Sequence, residues 1–168
     1  MLALKTIKMP WIRLPLFLDA TDANGKSAAA VGARDLTALK LLTTYFVYKE
    51  IPAGINTLET RFLSITNNHV VDIDVMAGRL DNLGNADMTR VCTLDVIVGQ
   101  QVTEDATYTK YADTINISNN LWNTTVAAVE PGTDHMARLI FDLCGYDVIG
   151  FYGYGTFDGD VAVEISGY

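Results

Sequence analysis

The sequence predicts an all-β protein built as an antiparallel β-sandwich, on three observations. From Arg61 to Tyr168 apolar and polar residues alternate, which is the period-two pattern of half-buried strands. Turn-forming clusters interrupt that alternation at short intervals, at Asn67-Asn68, Asp81-Asn-Leu-Gly-Asn, Gly99-Gln-Gln, Asn119-Asn120, Pro131-Gly-Thr-Asp and Gly155-Thr-Phe-Asp-Gly. No helix-length crossover lies between the strands, so neighbours pair antiparallel.

The elements follow in chain order. Residues 1–30 read as an extended N-terminal arm and residues 31–168 as the sandwich domain. Leu2, Leu4 and Ile7 suit a short strand. Pro10 and Pro15 then discourage both helix and central strand, yet the same stretch carries Trp11, Ile12, Leu14, Leu16, Phe17 and Leu18. An apolar extended segment needs cover, from a neighbouring subunit or from an edge position in its own domain. The neighbour is favoured here, which makes these six residues the candidate interface. Asp19-Ala-Thr-Asp-Ala-Asn-Gly-Lys-Ser is a turn cluster. One short helix falls between Ala28 and Leu42, with Leu36, Leu39 and Leu42 at helical spacing and Asp35 as N-cap. Thr43 to Lys49 is β-rich, and Pro52-Ala-Gly is a turn. Strands are expected near 59–66, 69–77, 89–99, 113–118, 123–130, 135–143, 147–154 and 160–166.

Alternation also assigns faces. Ala137, Leu139, Phe141 and Leu143 point to the core, with Arg138 and Asp142 opposite. Val71, Ile73 and Val75 point in, with Asp72 and Asp74 on a solvated face. Cys92 shares the inner face with Leu94, Val96 and Val98, whereas Cys144 sits on the opposite face or in a turn. Two cysteines make no disulfide framework, so free thiols and a reducing compartment are expected.

The 168 residues suit one domain, and 49% hydrophobic against 19% charged residues is ample for a core. The formal net charge of −8 argues against nucleic acid as a partner, since phosphate backbones call for clustered Lys and Arg. No stretch approaches the ~18 apolar residues of a membrane-spanning helix. Lys5 and Lys8 break up any leader-like apolar run, so a soluble protein made inside a cell is expected.

No motif for chemistry survives inspection. Gly25-Lys26-Ser27 ends like a phosphate-binding loop, but Ala20 stands where the first glycine belongs. Asp19, Asp22 and Asn24 suggest a calcium loop whose first and last ligand positions would be Ala20 and Val31, neither of which can serve. Asp72-x-Asp74 could hold a divalent metal or act as acid and base, yet alternation explains the pair as solvated. His69 and His135 each open a strand without a second ligand at zinc spacing. Two glycosylation sequons, at Asn116 and Asn123, read as chance. The aromatic tail (Tyr146, Phe151, Tyr152, Tyr154, Phe157, Tyr168) divides between core and surface, where exposed rings stack on sugars or anchor a protein interface. No catalytic residue, cofactor or metal is assigned.

The order Val70-Val-Asp-Ile-Asp-Val-Met-Ala, then Cys92-Thr-Leu-Asp-Val-Ile-Val-Gly-Gln, Tyr111-Ala-Asp-Thr-Ile-Asn-Ile, Trp122 and Ala137-Arg-Leu-Ile-Phe-Asp-Leu-Cys-Gly-Tyr146 resembles small β-sandwich virion proteins of tailed bacteriophages. These are the proteins that decorate or cement capsids, and the resemblance covers about residues 45–168. It implies a jelly-roll-like sandwich without catalytic residues, assembled in the host cytoplasm as a homo-oligomer, often a trimer, on the capsid surface. The partners would be the major capsid protein and further copies of the chain, with the N-terminal arm as a tether. A neck, tail or head-fibre position is the nearest variant. The alternative is a carbohydrate-binding module, with Trp122 or Tyr152 and Tyr154 as an exposed strip. A metal-dependent enzyme using Asp72 and Asp74 ranks third.

Overall fold

The computed structural model describes residues 7–16, 34–41, 45–64, 69–98, 110–112, 114–118, 125–127, 137–154 and 161–168. Among these, twelve strands and one helix follow in the order β1 (Met9–Leu16), β2 (Arg34–Asp35), α1 (Leu36–Lys40), β3 (Phe46–Glu50), β4 (Thr57–Ser64), β5 (His69–Gly78), β6 (Asp87–Val98), β7 (Lys110–Tyr111), β8 (Thr114–Ser118), β9 (Thr125–Ala127), β10 (Arg138–Asp142), β11 (Val148–Tyr154) and β12 (Val161–Gly167). They form two six-stranded sheets, one in the order β1-β12-β4-β10-β9 with β7 beside β4, the other β2-β6-β5-β11-β3 with β8 beside β6. Every pairing is antiparallel. The all-β sandwich expected from alternation is the observed fold.

The pairing order identifies the topology. β1 pairs with β12, β3 with β11, β4 with β10 and β5 with β6. These partners are nested, so the chain is one long hairpin bent at β5–β6. Rolling that hairpin brings β12 against β4 and β11 against β5. The result is a double-sheet jelly roll.

The core lies between the sheets. Leu58, Phe62, Leu139, Phe141, Val163 and Ile165 meet Ile73, Val75, Leu94, Val96, Ile149 and Phe151, all without solvent exposure. Phe62 and Phe151 meet edge to face across the midline at 6.2 Å. The inward assignments of Ala137, Leu139, Phe141 and Leu143 hold, as do those of Ile73, Val75, Cys92, Leu94 and Val96. At Val75/Met76 the β5–β6 register slips by one residue, and both Val91 and Cys92 become buried.

A second cluster covers the far face of the β5–β6–β11 sheet. Leu36, Leu39, Phe46, Met76, Met88 and Tyr152 are buried there. Helix α1 begins as the sequence indicates: Asp35 is the N-cap, its Oδ1 accepting from the Thr37 N–H at 2.6 Å. The helix is fixed to the neighbouring turn by the Leu36 N–H to the Ala86 carbonyl at 2.6 Å and by the Thr37 hydroxyl to Asn85 Oδ1 at 2.9 Å. Gly150 is required on this face, because a Cβ would collide with the Phe46 ring.

This cover corrects the reading of Asp72 and Asp74 as one solvated pair. Asp74 has no exposure and Asp72 is half-buried. Asp74 stands beside Tyr152, a member of the second cluster, and its Oδ1 accepts from the Thr93 hydroxyl at 2.6 Å. Arg90 lies 3.8 Å from its Oδ2. Strand alternation placed the two carboxylates on one face correctly but carried no information about the chain packed over it.

Candidate functional site

The best-defined polar constellation among the described residues lies on the outer face of the β1–β12–β4 sheet. Arg13 on β1, Glu164 on β12 and Arg61 on β4 are direct cross-strand neighbours, and β7 brings Tyr111 alongside. Glu164 gathers them. It accepts from Arg13 Nε at 2.9 Å, from Arg61 Nε at 2.7 Å and from the Tyr111 hydroxyl at 3.2 Å. Arg13 Nη2 also approaches the same Oε1 at 2.7 Å, while Arg61 and Tyr111 share Oε2. The Arg61 guanidinium lies over the Trp11 ring at 4.0 Å and over the Tyr111 ring at 4.7 Å, within cation–π range of both.

The electrostatics follow from this packing. Burial pushes the Glu164 carboxyl up, but the hydrogen bonds from Arg13 and Arg61, the charge of Arg61 and the Tyr111 hydroxyl outweigh it, and the group is held below the usual carboxylate range. Burial pushes the Tyr111 phenol up; Arg61 opposes and Glu164 reinforces that shift. This arrangement fixes β1 to the sheet. It offers two aromatic rings and two guanidinium groups, side-chain types that recur at protein interfaces.

The sequence-predicted interface residues divide. Met9–Leu16 forms an edge strand of the chain's own sheet, the placement expected less than a neighbouring subunit, and residues 9–16 thereby belong to the sandwich rather than to a separate arm. Leu16 has no exposure, and Ile12 and Leu14 are half-buried against the core. Trp11 is 38% exposed and on the outer face. Phe17 and Leu18 lie outside the described residues. Both prolines are exposed on β1, where an edge strand tolerates a missing donor.

Tyr152 is buried, so it cannot belong to the exposed sugar-stacking strip suggested for Tyr152 and Tyr154. Trp122, Phe157, His135, Asn123 and residues 19–27 fall outside the described residues, and His69 opens β5. Asn116 is exposed on β8. No disulfide joins the two cysteines: Cys92 is buried and Cys144 exposed. Cys144 and Gly145 both have positive φ, and the Tyr146 N–H closes the turn onto the Leu143 carbonyl at 2.9 Å. Cys144 thus occupies the turn position that the sequence left as one of two choices.

A shallow groove of about 520 Å³ lies between Asp35, the 81–85 turn and Tyr146. Asp35 in it is the helix cap. Asp81 accepts from the N–H groups of Leu83 and Asn85, which hold its carboxyl below the ordinary range. The Arg79 guanidinium lies over Tyr146 at 5.8 Å. Among the described residues no group of three or more His, Cys, Asp or Glu is arranged to hold a metal ion, and no helix is long and apolar enough to cross a membrane.

Sequence reasoning missed Glu164 and its partners. Arg13, Arg61 and Tyr111 lie 151, 103 and 53 residues away along the chain, so no local pattern joins them. The one signal was an acidic residue inside the apolar run Val161–Gly167. Compared with family models, with curated proteins and with solved structures, the chain matches none.

Proposed function

We propose that the chain is a non-enzymatic virion structural protein that decorates or cements a tailed-phage capsid, bridging neighbouring capsid subunits. The observation that carries this reading is the nested-hairpin jelly roll, a scaffold used by viral capsid proteins, lectins and cupins. The fold alone does not choose among these uses. Two features favour the structural one. The interior is filled from both sheets by large apolar side chains, so the sandwich is a rigid spacer rather than a vessel. Of the candidate carboxylate pair, Asp74 is buried against Thr93 and Arg90, away from any substrate. A cement protein works by spreading contacts over several neighbours, and β1 with Trp11 and Arg13 outward offers an extended edge for them.

The test is cosedimentation of the purified chain with capsids assembled without it. Saturable binding at a fixed number of copies per shell, with shells that release packaged DNA at a higher temperature, is the expected result. Protein that stays in the supernatant at mid-micromolar concentration overturns the reading. Binding to a glycan array under the same conditions would move the assignment to a carbohydrate-binding module.

A further inference from the structure

We infer that β1 is an exchangeable strand, and that a second copy of this chain can place its own β1 on the vacated β12 edge in the same antiparallel register. The inference deepens the assembly reading and rests on it only for the shell, where neighbouring copies sit close together. Its test uses purified protein without a shell, so the two can fail separately.

Every described contact of β1 is with residues beyond the connection that follows it. The backbone ladder runs to β12, pairing Ile12 with Ile165, Arg13 with Glu164, Leu14 with Val163, Pro15 with Ala162 and Leu16 with Val161. The Ser166 hydroxyl donates to the Met9 carbonyl at 2.9 Å. The outer clasp is Arg13 to Glu164 and Trp11 on Arg61. None of these partners depends on which chain supplies the strand, so exchange conserves the contacts and changes only the tether. That near-neutrality is what makes strand swapping an accessible route to oligomers.

The seat also selects its occupant. It needs an extended segment with apolar residues toward the core, a guanidinium opposite Glu164 and an aromatic ring over Arg61. Leu14 and Leu16, Arg13 and Trp11 supply these at the required spacing. Pro10 and Pro15 disfavour helix in a released strand, which reduces the ordering cost of docking. Arg13 set opposite Glu164 fixes the register, since a one-residue slip would turn it toward the core. The connection, residues 17–33, has a covalent reach of at most about 61 Å.

A tether of this size gives an effective concentration on the order of millimolar. The closed monomer therefore dominates in dilute solution, and exchange becomes competitive when copies are crowded. The experiment uses two proteins on a Cys144→Ser background, one carrying Pro15→Cys and the other Ala162→Cys. Positions 15 and 162 are direct partners on the outer face, and such pairs lie within disulfide range. The two are mixed, oxidised mildly and read on a non-reducing gel. The mixed disulfide is expected to rise roughly tenfold or more between about 10 µM and 1 mM. A single chain carrying both substitutions closes an internal bond in dilute solution. The inference is overturned if that internal bond closes while the mixture yields no more cross-link than a control cysteine at Asn82. Failure of the internal bond also overturns it, because the register would then be wrong.

Discussion

Replacing Glu164 by glutamine tests the clasp most directly. The Glu164 side chain is 8% exposed, that of Arg61 18% and that of Arg13 59%. Arg13 therefore rehydrates when the charge opposite it disappears, and its share is that of a surface pair, about 0.2–1 kcal/mol. Arg61 is held under Trp11 and Tyr111 and rehydrates less well, and its charge-assisted hydrogen bond contributes roughly 1.5–3 kcal/mol. Glutamine keeps one acceptor oxygen, so the expected loss is about 2–3 kcal/mol, or about 4–12 °C in Tm for a chain of this size. The assay is urea unfolding at several pH values. The folded carboxyl is held below its unfolded value of about 4.3. Its contribution is therefore fully present above that value and is lost as pH falls through the lower folded one. The gap between wild type and Glu164→Gln should be constant from pH 7 to about 5.5 and should shrink below about pH 4. A gap under about 0.5 kcal/mol at pH 7, or one that widens in acid, would refute the clasp.

Three further expectations concern the core and the thiols. Phe141→Ala removes a fully buried ring and should cost about 3–5 kcal/mol in the same unfolding assay; a loss within error would contradict its place between the sheets. Thr60 is buried between Ile165 and Leu139, and among the described residues its hydroxyl has no hydrogen-bond partner, so Thr60→Val should stabilise by about 1–2 kcal/mol; destabilisation would mean that the hydroxyl is satisfied. A chromogenic disulfide reagent should titrate Cys144 at once in native protein and Cys92 only after unfolding; two fast thiols would place Cys92 at the surface.

Strand placement was legible because alternation reports burial on one face, and these strands bury one face against the opposite sheet. Phe141 and Leu139 are read correctly for that reason, and Asp35 because a cap is a local contact with Thr37 two residues on. Asp74 was misread because its face of the sheet is covered by a distant segment, with Leu36 and Phe46 closing over Met76 and Tyr152. Alternation is the same whether the outer face meets water or a helix. The partner of β1 was illegible for a related reason. Leu14 and Leu16 need cover and Arg13 needs a carboxylate, but Val161, Val163 and Glu164 meet those needs equally well from this chain or from a second one.

The topology gives that ambiguity a physical consequence. In a hairpin rolled from its middle, β5 and β6 join neighbours in sequence, whereas β1 and β12 join residues about as far apart as this chain allows. With the rest of the domain folded, β1 is tethered through the 17–33 connection, and among the described residues one side of it has no strand neighbour. Local opening should begin there, while the Phe62–Phe151 contact at the midline opens only with the whole domain. A strand that opens first without unpacking the centre can be given to a neighbour at little cost to the fold. The Arg13–Glu164–Arg61 row then acts as the register lock that keeps such an exchange from slipping into disordered edge-to-edge pairing.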